Sequence, residues 1–371
     1  MCNACLPTPT TADTDAFAAS LLQTLNHGAL ALMVSIGHRT GLFDTLAELP
    51  PSDSATIAAH AGLDERYVRE WLAAMVTGGI VDFASQDRRY HLPAHRAALL
   101  TRAASPDNIA VYAQYIGVLG QVEDRIIDCF RHGGGVAYEH YPRFHEVMAE
   151  DSGQTVVAGL EQYILQLVPG LVRRLEHGIR VLDVGCGRGH ALLHLAQRFP
   201  RSRFVGYDLS QAALASARET AASRDLDNVV FEARDLTGFD EQVDAATFDL
   251  ITAFDAVHDQ ADPRGLLHGI RRSLRPDGTF LMQDIRASSR LENNLEHPIA
   301  PLLYTLSTMH CMSVSLAQNG AGLGTMWGEE LAVQMLYEAG FEDVEVRQLE
   351  HDFQNNFYVM HNASGAAMSH A

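Results

Sequence analysis

The sequence predicts an α/β chain: a doubly wound, largely parallel sheet in its second half, preceded by a small helix-turn-helix unit with a β-wing and by a helical segment. Three observations carry this. From about Gly178 to Asn362, β-type runs alternate with helical patterns, as βαβ units do. One of those runs, Arg180 to Val184, passes directly into a glycine-rich turn and then a helix. Between Ala55 and Leu92, two short helical stretches precede two strand-like runs around a polar turn. At 371 residues the chain is long enough for two or three domains. The expected divisions are 1–104, 105–177 and 178–362, the last with an insertion over 286–327.

In the first division, Ala55 to Leu63 reads as a helix stopped by Gly62, which can adopt the left-handed conformation that ends helices. Asp64 is a good N-cap for the next helix, whose Tyr67, Val68, Trp71, Leu72 and Met75 recur at helical spacing until Gly78-Gly79. Ile80 to Phe83 and Arg89 to Leu92 then pair as a hairpin. That order is a winged helix. From Ser54 to Arg102 six arginines face five acids, and Asp64, Glu65 and Glu70 share the second helix with its arginines. Such a helix repels phosphates, so dimerisation or covering a site is the expected use, with no nucleic-acid partner.

Composition points the same way. The net charge is −19, and all 27 basic residues are arginine. The five cysteines (Cys2, Cys5, Cys129, Cys186, Cys311) are odd in number and scattered, which does not suit a disulfide framework. Cys2 and Cys5 form a CxxC without a second ligand pair nearby, and no metal site is expected. No basic segment leads an apolar stretch, and Ala29 to Ile36 is short of a bilayer span. A cytoplasmic protein with no membrane partner is the expectation. The middle division reads as helical, broken at Gly133-Gly134-Gly135, and is rich in aromatics: Tyr112, Tyr115, Phe130, Tyr138, Tyr141, Phe144 and Tyr163.

The chemistry concentrates in the third division. In Asp183-Val184-Gly185-Cys186-Gly187-Arg188-Gly189, the glycines let a ligand approach the backbone and the following helix offers free N–H groups. The spacing differs from the GxGxxG of dinucleotide sites, and Asp183, two residues before the first glycine, suits an ammonium group. Asp208 ends the next strand, where a carboxylate accepts the hydroxyls of an adenosine ribose. Asp235 follows the third strand and is placed to accept from an adenine amino group, with Leu209 and Leu236 on the faces of the ring. Phe254 closes the fourth strand beside them.

The matches VLDVGCGRG, FVGYDLS, FEARDL, FDLITAFDAVHD and LRPDGTFLMQD, in that order, make Gly178 to Ile285 resemble a class I S-adenosylmethionine-dependent methyltransferase. With the winged helix and the stretch Met309 to Gly328, the whole chain resembles a bacterial, mycobacterial-type family of such enzymes. The resemblance implies a Rossmann-like sheet of seven strands ending in an antiparallel hairpin, for which Phe341 to Leu349 and Phe353 to His361 are the last strands. It implies S-adenosylmethionine as cofactor and in-line transfer of its methyl to a small-molecule thiol, sulfide or hydroxyl. By similarity to winged-helix O-methyltransferases of plants, His258 of the pair His258-Asp259 is the candidate general base, although Gln260 stands where those enzymes have tryptophan. Tyr115, His310, Cys311 and Trp327 are the candidate acceptor contacts. A winged-helix regulator that senses S-adenosylmethionine is the other class the residues allow. The apolar stripe Leu21, Leu22, Leu25, Leu32 and Met33 is expected to be buried in a homodimer.

Overall fold

The computed structural model describes residues 10–362 and divides into two compact units, the break falling after Gly117. The Cys2/Cys5 pair lies outside the described residues. In the first unit a long helix, Thr11–Thr40, starts at a capping box between Thr10 and Asp13 and stops at Gly41, whose φ is 74°. Helices Leu42–Glu48, Ser54–Ala61 and Glu65–Thr77 follow, the last two capped by Asp53 and Asp64. Strands β1 (Asp82–Ala84) and β2 (Arg89–His91) pair antiparallel as the wing. Phe43, Ile57, Val68, Trp71, Leu72 and Met75 form the core of this unit, and the Trp71 indole N–H donates to the Met33 carbonyl at 2.8 Å.

The acids of Glu65–Thr77 engage its arginines: Arg66 pairs with Glu70, and Arg69 lies 3.5 Å from Glu65. The first eighteen residues of the long helix, by contrast, are exposed on all sides. Phe17, Leu21, Leu22, Leu25, Leu32 and Ile36 stand open, while Met33 is half-buried. By length and composition this helix also suffices to cross a bilayer, a test that core helices and signal sequences pass as well.

The second unit is built on seven strands: β3 (Arg180–Val184), β4 (Arg203–Asp208), β5 (Val229–Ala233), β6 (Phe248–Phe254), β7 (Leu274–Ile285), β8 (Val344–Arg347) and β9 (Asn355–His361). Their spatial order is β5-β4-β3-β6-β7-β9-β8, parallel except for β9, which runs antiparallel to both neighbours. The two expected terminal strands are present, each shorter than its sequence run. Alternation along the strands separates two cores. Leu182, Ile251, Phe280 and Tyr358 pack on one face with Ile270, Met335 and Leu336 from helices. Val181, Leu250, Leu281 and Phe357 pack on the other with Leu171, Leu192 and Leu214. The chain winds outward from β3 through β4 to β5, then returns to β6 on the opposite side. The reversal between β3 and β6 opens a crevice at the carboxyl ends of the strands, where ligands bind in such sheets.

Candidate active site

On one side of that crevice the glycine turn is held by backbone bonds. The N–H groups of Gly185 and Cys186 both donate to the Tyr207 carbonyl. Gly185 and Gly189 have φ of 70° and 69°, and a Cβ on either would come within 2.4 Å of Ala256 or of the Phe231 ring. Only glycine fits there. A Cβ on Gly187 would meet nothing within 4 Å, so the turn presents bare backbone to open space. The Asp208 carboxylate ties the turn to β4, one oxygen accepting from Gly187 N–H at 2.8 Å and the other from Ser210 N–H at 2.7 Å. Asp183 is buried and accepts from the Thr252 hydroxyl at 2.6 Å. Burial, opposed by that bond, pushes its carboxyl up to about 7. A buried carboxyl raised this far is stabilised by a cation brought next to it.

The expected adenine contacts divide. Asp235 lies exposed, one oxygen accepting from Thr237 N–H, and Leu209 is half-exposed. Phe254 is half-buried. Leu236 is sunk in the core with Phe239 and Tyr207, so of the two leucines Leu209 has the freer face.

On the other side of the crevice β6 runs into Asp255, whose φ of 55° turns the chain sharply and whose N–H donates to the Gln283 carbonyl at 2.9 Å. Three residues later His258 is buried, and its Nδ1 lies 2.8 Å from Asp284 Oδ1 on β7. The same oxygen accepts from the Trp327 indole N–H at 3.0 Å and from Ile285 N–H at 2.8 Å. His258 is thus oriented by Asp284 from the adjacent strand, and no hydrogen bond to its sequence neighbour Asp259 is found among the described residues. Trp327, expected at the acceptor, instead stands behind Asp284 as its donor and belongs to the core. Burial works to lower the His258 pKa, but the Asp284 carboxylate holds it well above the usual imidazole range.

Cys311 is buried beside His258. Burial raises its thiol, and His258 opposes the rise. Burial also lifts Asp255 to about 6 and Asp259 to about 7. Asp255 Oδ1, Asp259 Oδ1 and Asp284 Oδ2 are buried without a hydrogen-bond partner among the described residues. His310 is wholly buried too, stacked on Phe144 with centroids 3.4 Å apart and edge-on to Tyr138 and Tyr141. Neither of its ring nitrogens has a hydrogen-bond partner among the described residues, and burial drives its pKa well below normal. Burial raises the Tyr138 hydroxyl, with Asp259 and Asp208 adding to the rise, and its ring packs edge-on against His310 and Phe144. Tyr115 is buried in the first unit.

Residues 28–102 match the family described as the Rv2258c-like winged helix-turn-helix domain, and residues 175–340 match a methyltransferase domain. The chain thus joins a winged helix-turn-helix domain of that family to a methyltransferase domain. The methyltransferase is similar to trans-aconitate 2-methyltransferase of Acidovorax sp. (strain JS42), at 31% identity over 149 residues, which are 40% of this chain and 52% of that protein. The chain spans about half the length of the curated relatives it matches. Its fold is that of an O-methyltransferase family protein from Burkholderia thailandensis (TM-score 0.66, 16% identity, 97% of this chain and 100% of that one). Human N-acetylserotonin methyltransferase, solved with S-adenosylmethionine, has the same fold (TM-score 0.65, 18% identity, 96% and 99% covered). The glycine turn, Asp183 and Asp208 fit this cofactor: bare backbone for its methionine portion, a buried carboxyl for its ammonium group, and a strand-end carboxylate for its ribose.

Asp284, Thr252, Tyr138 and Phe144 contact the expected site residues His258, Asp183 and His310 and were not themselves among them. Asp284 sits at the end of the quoted LMQD run, one strand away from His258. Only strand adjacency joins them.

Proposed function

We propose that this methyltransferase modifies a hydroxyl group of a small molecule, and that His258 takes the proton of that hydroxyl. The observation that carries the reading is the His258–Asp284 pair: a buried imidazole fixed through Nδ1, with Nε2 left for the crevice, at the end of the strand beside the glycine turn. Asp284 sets the tautomer and stabilises the imidazolium formed when the acceptor loses its proton. S-adenosylmethionine brings a methyl group already activated on a sulfonium, so the chain supplies alignment, exclusion of water and proton handling. The sulfonium charge also works against Asp284 and favours the neutral ring that a base requires. His310, beside Tyr138 and with both nitrogens buried and unpaired among the described residues, is a second proposed acceptor contact. The O-methyltransferase fold relatives support a hydroxyl acceptor.

The test is a transfer assay with methyl-labelled S-adenosylmethionine, offering phenols, thiols and sulfide side by side. Label in phenols that disappears in His258→Ala supports the reading. Label in thiols that survives the substitution would replace it with S-methylation, which the soft surroundings of Cys311 and Met312 would suit. The glutamates paired with Arg66 and Arg69 argue against a DNA-binding regulator. Salt-sensitive binding to promoter DNA without turnover would restore that role.

A second copy of the chain is the proposed partner of the exposed first helix. Phe17, Leu21, Leu25, Leu32 and Ile36 recur at helical spacing along one face, a self-complementary surface. Sizing at micromolar concentration should give a dimer. A monomer that pellets with phospholipid vesicles would assign the face to a bilayer instead.

A further inference from the structure

His258, Asp259 and Cys311 each direct one ligand-type atom into the same small volume, all within 4.8 Å of one another. They arrive from two places in the chain. His258 and Asp259 follow β6, while Cys311 ends the single wide turn Ser307–Cys311 of the segment between β7 and β8. No spacing in the sequence announces the set, because a fold contact and not a local motif assembles it. We propose that these three side chains form a binding site for a thiophilic divalent cation of the zinc class, and that its occupation withdraws His258 from proton transfer.

Four features of the site support a cation. The donor set is one thiol, one imidazole and one carboxylate, a soft combination that selects zinc-like ions over calcium or magnesium. The ligand charges balance, since a thiolate and a carboxylate neutralise a doubly charged ion and leave none buried unpaired. The imidazole is already oriented as zinc-ligating histidines are: Nδ1 bonds Asp284 at 2.8 Å, which leaves Nε2 for the ion, and Asp284 is itself held by Trp327 and Ile285. Finally, Asp259 Oδ1 is buried with no hydrogen-bond partner among the described residues, a costly arrangement that an ion relieves. Bonds of ~2.0–2.3 Å place tetrahedral ligand atoms roughly 3.3–3.8 Å apart, so the set closes on an ion through side-chain rotation alone. Three protein ligands leave the fourth position open for water or a small molecule.

The binding half stands on these contacts alone, and the inhibitory half rests on His258 being the base. Both can be read separately in the full chain carrying Cys2→Ser and Cys5→Ser, which removes the N-terminal thiols. After dialysis against zinc, metal content should be one ion per chain. Cobalt substituted for zinc should give the intense visible bands of four-coordinate geometry and a thiolate charge-transfer band. Cys311→Ser should lose that band, and Asp259→Asn should bind at least ~10–100-fold more weakly, the loss typical of disturbing even an outer partner. Zinc held equally by both variants, or a cobalt complex lacking the thiolate band, overturns the site. In the transfer assay, one equivalent of zinc should stop the parent, whereas Cys311→Ser should keep its own metal-free rate. Full transfer by parent protein that holds its zinc overturns the inhibitory half and leaves the site standing. A failure to find a hydroxyl acceptor bears on the proposed reaction only, because metal content and cobalt spectra need no acceptor.

Discussion

The two sides of the crevice are finished to different degrees. On the cofactor side, both Asp208 oxygens accept backbone N–H groups, Asp183 accepts from Thr252, and the glycine turn is bonded to Tyr207. On the acceptor side, single oxygens of Asp255, Asp259 and Asp284 and both nitrogens of His310 are buried without partners among the described residues. Buried polar groups are ordinarily paired, so the second set marks where a ligand completes the protein. The cofactor side is shaped mostly by bonded backbone, although in its turn Arg188 Nε is buried without a hydrogen-bond partner among the described residues. The acceptor side is shaped by side chains from three separate stretches of chain whose hydrogen bonding is left open.

The largest effect expected from this division is on the acceptor side. His258→Ala should lower transfer to a hydroxyl by roughly 10²–10⁴-fold, the usual contribution of a positioned base. Titration calorimetry with S-adenosylhomocysteine should meanwhile show cofactor affinity unchanged. Loss of affinity would mean that the two sides are one cooperative unit. Asp208→Ala should do the reverse. A hydrogen bond to a charged group contributes about 1.5–3 kcal/mol, so cofactor binding should weaken roughly 10–100-fold while the rate at saturating cofactor changes little. A smaller effect is expected from Trp327→Phe, which removes one of three donors to Asp284. It should cost about 0.5–1.5 kcal/mol in a denaturant melt and slow transfer a few-fold, with cofactor affinity intact.

The same division decides what the sequence discloses. Asp183, Gly185, Gly187, Gly189 and Asp208 are readable because a strand, a tight turn and a strand tip force residue types at fixed spacing. The winged helix is readable because Asp64 and Gly62 are strong local caps. His258 was visible through its family pattern, but Asp284, which orients it, lies 26 positions away and joins it only because β6 and β7 are neighbours. Trp327 stands in the sequence as a candidate acceptor contact. Its indole N–H, reaching Asp284 from the core, could not be inferred without the sheet. The proposed metal-ligand set is illegible for the same reason: Cys311 meets His258 and Asp259 from a separate segment of the chain.

The last effect expected is the pH dependence of Asp183, which sharpens the comparison from the cofactor side. Its carboxyl is raised from the ordinary 3.8 to about 7 in the folded chain, chiefly by burial. A raised carboxyl binds a proton more tightly folded than unfolded. Its contribution to stability is therefore complete below about pH 3.8 and is lost as pH rises through about 7. Thermal melts of the cofactor-free chain should show Tm falling over that window by more than in Asp183→Asn, which keeps an acceptor for Thr252 but cannot ionise. Bound S-adenosylhomocysteine carries the ammonium group that Asp183 is proposed to meet, and it should flatten the fall in the parent chain. An equal fall with and without the ligand would place that ammonium elsewhere, and the cofactor side would then hold an unmet charge as the acceptor side does.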